Sequence, residues 1–153
     1  MEVAEMVWKG DGIVAVPGSA SGVLLASDQP LSFWGGYDPT SGEIIDRRHP
    51  LSGRFGANAI LALPATRGSS TTTAVLLESI RSGFAPSAFV TTSMDTFLAL
   101  ASVVGAELYR KPIPMVVVAD GHLAELVACY RDSSDGSLIA RLETNGAITV
   151  GRQ

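Results

Sequence analysis

Short apolar blocks set off by turn residues dominate the first third of the chain. Residues 12–16 and 22–26 are apolar runs of strand length, parted by Gly18 and Ser19, and each predicts a β-strand. Residues 31–34, after Pro30, predict a third strand. The polar stretch 35–42 reads as a long turn, and 43–45 resumes a strand. The period changes at the centre. A continuous apolar run over 59–63 predicts a buried strand. Leu76, Ile80 and Phe84 then recur every fourth residue and predict a helix over 74–80. Ser69 or Ser70 can cap its start, and Arg81 and Gly83 mark its end. Residues 89–92 predict another strand. Phe97, Leu100, Ala101 and Val104 predict a second helix, capped by Ser93, with Asp95 in its first turn and Gly105 as its stop. Pro112 and Pro114 precede a strand at 115–118. Residues 138–142 and 147–150 flank Asn145 and Gly146, which predict a type I′ hairpin. The segment 122–130 fits a short helix or a strand equally well.

Strand, helix, strand, helix, strand in the middle of the chain predicts a βαβαβ unit with a parallel core. An N-terminal β section precedes it and a C-terminal hairpin follows. The fold class expected is mixed α/β, a β/β/α domain with flanking β-hairpins. Pro and Gly are spread evenly and no repeat or low-complexity tract marks a linker, so residues 1–153 read as one domain.

Composition narrows the function classes. Apolar residues make up 46% of the 153 residues and charged residues 17%, enough for a sizeable buried core. The net charge is −4, and no basic cluster exceeds Arg47 and Arg48, so neither nucleic acid nor an anionic membrane is an expected partner. No apolar run reaches membrane-spanning length, and the acidic residues 1–5 do not read as a signal peptide. One cysteine, Cys129, excludes an internal disulfide framework and suits a reducing, cytoplasmic setting. With only His49 and His122 beside it, the chain lacks the ligands for a structural zinc site or an iron–sulfur cluster, so no metal ligand is expected here.

The chemistry concentrates in residues 64–73. An arginine, a glycine and a hydroxyl cluster stand where a strand gives way to a helix. Such a junction aims backbone N–H groups and the positive helix end at one point, where anions and developing negative charge are stabilised. The run Asp46, Arg47, Arg48, His49, Pro50 reads as a solvated turn or as the mouth of a pocket. Asp38 reads as a turn former bonded to its own backbone. Phe33 and Trp34 read as core, Cys129 as a small buried apolar residue, and His122 as structural or exposed.

Two stretches, residues 30–53 and residues 67–78, together resemble the small, swivelling domain of aconitase X-type dehydratases. The resemblance runs over about 10–118, and Pro64, Ala65 and Thr66 depart from the family's usual lead-in. It implies a swivelling β/β/α fold like the C-terminal domain of aconitase. It implies a larger part that holds an iron–sulfur or iron centre on three cysteines, over which the small part closes. The length and single cysteine suggest the separate small subunit of a heteromer. By resemblance Ser69 is the catalytic serine, with Arg67, Gly68 and Ser70 as substrate contacts. Arg48, His49 and Asp38 are candidates for the pocket or the subunit interface. The reaction implied is dehydration of a hydroxy acid. Two lysines and the Phe33–Gly36 run favour cis-3-hydroxy-L-proline over mevalonate 5-phosphate. A non-catalytic anion-binding or regulatory domain is the remaining alternative.

Overall fold

The computed structural model describes residues 5–68, 70–133 and 138–152. Ten strands and three helices follow in the order β1 (Glu5–Asp11), β2 (Ile13–Val16), β3 (Ala20–Ala26), β4 (Leu31–Ser32), β5 (Ile60–Ala62), β6 (Thr66–Arg67), α1 (Ser70–Ser82), β7 (Ala88–Thr91), α2 (Thr96–Tyr109), β8 (Met115–Val117), α3 (Asp120–Asp132), β9 (Leu138–Leu142) and β10 (Ala147–Arg152). Eight strands join in one sheet, ordered β1-β10-β9-β3-β5-β7-β8-β2. The steps β3-β5, β5-β7 and β7-β8 are parallel, and the remaining pairs are antiparallel. The expected βαβαβ core is therefore present, and the C-terminal hairpin extends the same sheet through β3.

Alternation along the strands splits the core into two layers. Leu25, Leu61, Phe89 and Met115 face one side, where Leu76 and Ile80 of α1 and Leu98 and Ala101 of α2 cover them. Leu24, Ile60, Val90 and Val116 face the other, under Leu123, Leu126 and Val127 of α3. The segment 122–130 is thus helix, and its apolar side completes the second layer. Among the described residues no buried side-chain nitrogen or oxygen lacks a hydrogen-bond partner.

Several local expectations change. Phe84 lies beyond α1 and is 38% exposed, so it is not part of that helix's buried stripe. On α2 the buried residues are Leu98, Ala101, Ser102 and Gly105, while Phe97 and Leu100 face outward. Helix α2 starts at the N-cap Asp95 rather than at Ser93, and it runs through Gly105 to end with Arg110 in the left-handed region at φ 56. Gly105 is there for space: a Cβ would stand 2.6 Å from Ile80 Cδ1 of α1. Hydrophobicity alone chose the wrong face of α2 because both of its faces are apolar. The hairpin turn also differs. Asn145 keeps a negative φ and only Gly146 is left-handed, at φ 91. Gly146 N–H donates to Glu143 O at 3.0 Å, which makes a longer turn than type I′.

Candidate functional site

The parallel strands β3, β5 and β7 all release their chains at one edge of the sheet, the edge at which open α/β sheets bind ligands. Residues 27–29, 63–68 and 92–95 leave it side by side. Ser27 N–H donates to Ala62 O at 3.0 Å, and Thr92 N–H to Pro64 O at 3.2 Å. Beyond that edge β4 and β6 form a separate parallel pair, Leu31 opposite Thr66 and Ser32 opposite Arg67. This strip carries the chain into Gly68, whose φ of 129 is readily adopted only by glycine. Helix α1 then begins at Ser70, with no acidic residue in its first turn to neutralise its positive end.

A cavity of about 440 Å³ opens beside this strip, lined by Gln29, Pro30, Asp46, Arg48, His49, Pro50 and Arg67. The fold thus brings Arg48 and His49 together with Arg67 across a sequence gap that only the tertiary structure closes. Arg48 and Arg67 are both exposed and have no ion-pair partner among the described residues. Two unpaired guanidinium groups, with the one carboxylate of Asp46 beside them, give this cavity donors of the kind that suit a carboxylate or a phosphate. Asp46 is partly committed elsewhere, since its Oδ1 accepts Arg48 N–H at 3.0 Å. A second cavity, of about 380 Å³, lies at the opposite edge of the sheet, among Ser19, Asn58, Pro86 and Lys111. Its one charged residue is Lys111, and it holds none of the candidate site residues.

His49 shapes the cavity from within the wall. The residue is 6% exposed. Nδ1 accepts Leu51 N–H at 3.1 Å, which leaves the proton on Nε2 to donate to Gln29 O, also at 3.1 Å. Both nitrogens are committed, so His49 ties two loops together and is not a free proton acceptor.

Asp38 does not line this cavity. Its Oδ1 accepts Thr40 Oγ1–H at 2.7 Å and Thr40 N–H at 2.9 Å, and the hydroxyl first, then the backbone N–H, hold the carboxyl below the usual aspartate range. Gly68 and Ser70 are exposed at the start of α1; Ser69 lies outside the described residues. Phe33 is fully buried, but its neighbour Trp34 is 69% exposed, next to the strand that pairs with Arg67. His122 packs edge-on against Trp8 and bonds Glu125 at 3.1 Å. Cys129 is half-buried on α3, and burial pushes its thiol up, reinforced by Asp132 and Glu125. Gln29, Thr66 and Asp95 were not legible as site residues in the sequence. The signal for Asp95 was its place three residues before Leu98, the spacing of an N-cap and the N–H it accepts.

Among the described residues no three His, Cys, Asp or Glu side chains gather where they could hold a metal ion. The cavity offers one carboxylate, Asp46, one imidazole, His49, with both nitrogens already bonded, and no thiolate, so its donor set does not fit an iron–sulfur or iron centre.

These features define a class: an α/β domain that presents an arginine–glycine turn and a helix start at the carboxyl edge of a parallel sheet. The family model described as the aconitase X swivel domain matches residues 8–140. The chain belongs to the aconitase X swivel-domain family. It is 41% identical over 137 residues to a cis-3-hydroxy-L-proline dehydratase of Hypocrea jecorina, covering 90% of this chain and 23% of that protein. It is 49% identical over 105 residues to the enzyme of the same name from Pseudomonas aeruginosa, covering 69% and 18%. The chain thus spans about a fifth of the length of these relatives. The phosphomevalonate dehydratase small subunit of Methanothermobacter thermautotrophicus is 31% identical over 118 residues, 77% of this chain and 83% of that subunit. Among solved structures, Thermococcus kodakaraensis aconitase X superposes with a TM-score of 0.74 at 26% identity, over 94% of this chain and 98% of that one. No helix among the described residues is long and apolar enough to cross a membrane.

Proposed function

We propose that this chain is the swivelling part of an aconitase X-type hydro-lyase and that it supplies Ser69 as the base in dehydration of cis-3-hydroxy-L-proline. The observation that carries the reading is the placement of Arg67. It stands on the cavity wall two residues before Ser69 and three before the first residue of α1. The relatives named for this substrate are 41% and 49% identical, against 31% for the phosphomevalonate dehydratase subunit.

Dehydration of a β-hydroxy acid needs a base for the α-proton and assistance to the departing hydroxyl. In this reading Arg67 and Arg48 hold the substrate carboxylate, and the backbone at Gly68 and Ser70 borders it. Ser69 takes the α-proton. It does so as its alkoxide and becomes a neutral hydroxyl; the positive end of α1 stabilises that alkoxide before the transfer by about 0.3–2 kcal/mol, roughly one pKa unit. A serine hydroxyl lies several units above neutrality, so Arg67 and groups from a larger part supply the rest. Assistance to the leaving hydroxyl, and the iron centre implied by the resemblance, fall to that larger part.

The surface agrees with a site completed from outside. Helix α2 has one charged residue, Glu107, in its 14 residues, and Phe97, Leu100, Val103 and Leu108 face outward from it. A helix apolar on both faces belongs under cover. Met94, 55% exposed, continues the stripe to Asp95, which touches the strip carrying Arg67. The larger part of the enzyme, seated on α2, would lie over the cavity. Reading the chain as the small subunit of a mevalonate 5-phosphate dehydratase rests on the 83% coverage of such a subunit.

The test is to assemble the chain with the larger part and assay both substrates. Turnover of cis-3-hydroxy-L-proline that Ser69→Ala abolishes, with assembly intact, supports the reading. Turnover of the phosphate ester alone reverses the substrate, and full activity of Ser69→Ala removes the serine from the chemistry. Anion binding without turnover of either substrate leaves a binding or regulatory domain.

A further inference from the structure

We infer that Asp95 is a positioning residue for the Arg67–Gly68 segment that leads into Ser69; the inference rests on the functional reading above. Asp95 is 8% exposed and serves two elements at once. Its Oδ1 accepts Leu98 N–H at 3.1 Å and caps α2. Its Oδ2 accepts Thr66 N–H at 2.9 Å and Thr66 Oγ1–H at 2.5 Å. Capping α2 requires only the first oxygen. The second is spent entirely on the residue before Arg67.

That residue needs holding. Strand β6 is two residues long, and its ladder partner is the equally short β4. So short a pair specifies little by itself. On its other side the segment is held by the loop after β7. Pro64 O accepts Thr92 N–H at 3.2 Å and Thr92 Oγ1–H at 3.3 Å, and Asp95 takes the two donors of Thr66. Past Thr66, Thr72 Oγ1 reaches back to Arg67 O at 3.5 Å, the outer limit of a hydrogen bond. Asp95 therefore makes the shortest bonds on the approach to the turn, and it ties the start of α2 to the strip that carries Arg67.

Asp95→Asn cannot serve both duties. Whichever way its amide turns, it offers one acceptor oxygen where the carboxylate offered two, and an NH2 group faces a donor. Thr66→Val is the second variant: it leaves the cap of α2 intact and deletes one donor to Oδ2. Thr66→Ser keeps both donors. Amide hydrogen exchange at Thr66 and Arg67 is measured on the chain, and kcat and KM on the assembled enzyme. The expected result is faster exchange at both amides in Asp95→Asn and in Thr66→Val. With it comes a fall in kcat of about 10- to 100-fold, the scale of loss for a reacting group misplaced by about 1 Å. KM should rise as well, because Arg67 of the same segment holds the substrate carboxylate, and Thr66→Ser should behave as the wild type. A cap-only role would leave kcat of Thr66→Val untouched. Unchanged exchange, or unchanged kcat in both Asp95→Asn and Thr66→Val, overturns the assignment. Neither result depends on Ser69→Ala, whose own activity judges the functional reading separately.

Discussion

His49 Nε2 lies 3.1 Å from the carbonyl oxygen of Gln29, twenty residues earlier in the chain. This bond joins the loop that carries Arg48 to the loop that follows β3, and both loops line the arginine-bearing cavity. The second ring nitrogen is occupied by Leu51 N–H, so the imidazole is a two-sided clasp.

Replacing His49, itself 6% exposed, by alanine removes the partners of Gln29 O and of the buried Leu51 N–H. Gln29 is exposed and water can replace the ring there, whereas the buried Leu51 N–H left unsatisfied costs about 1–3 kcal/mol. A loss of that size lowers Tm by roughly 2–4 °C per kcal/mol for a chain of this length. Thermal unfolding of His49→Ala followed by circular dichroism checks this, and an unchanged Tm would show that the clasp contributes nothing.

Arg67→Ala should raise KM for the hydroxy acid in the assembled enzyme. A hydrogen bond to a charged group is worth about 1.5–3 kcal/mol, or roughly 10- to 100-fold in affinity. Arg67→Lys should recover only part of it, because lysine lacks the planar fork. Arg48→Ala should move KM in the same direction. Steady-state kinetics of the three variants decide it, and a KM unaffected in both alanine variants removes the carboxylate from this cavity.

The contact between Gly105 and Ile80 gives a sign reversal to look for. On its own Ile80→Val should destabilise by about 0.5–1.5 kcal/mol, as a lost buried methyl does. In Gly105→Ala the new Cβ presses on Ile80 Cδ1, so there Ile80→Val should be stabilising. A double-mutant cycle in urea measures the coupling; additive effects would mean that α1 and α2 adjust without strain.

The outward face of α2 is the place to probe assembly. Leu100→Glu with Val103→Glu adds charge at side chains that are 52% and 54% exposed, so the chain's own Tm should hardly move. Its co-purification with the larger part should be lost. Retained assembly would put the seat elsewhere on the surface.

Much of the architecture was legible before any coordinates. Apolar periodicity located β3, β5, α1, β7 and β8, because each buries a face of fixed period against the sheet. Arg81 and Gly83 marked the end of α1 correctly, and the two recognised stretches located the turn at Arg67. Phe33 beside Trp34 shows the limit. Both are aromatic in one short segment, yet one is fully buried and the other 69% exposed, since only packing decides which way each points.

What the chain's order determined by itself was local: which runs are strands, where α1 ends, and that an arginine and hydroxyls stand at a helix start. The tertiary structure decided everything that depends on distance in space. It chose the buried side of α2, where two apolar faces competed and Gly105 fitted against Ile80. It set Arg48 and His49 on one cavity with Arg67, and it aimed Asp95 at Thr66. Hydrogen bonds and close packing act over a few ångströms between groups twenty or thirty residues apart, and no local pattern encodes that proximity.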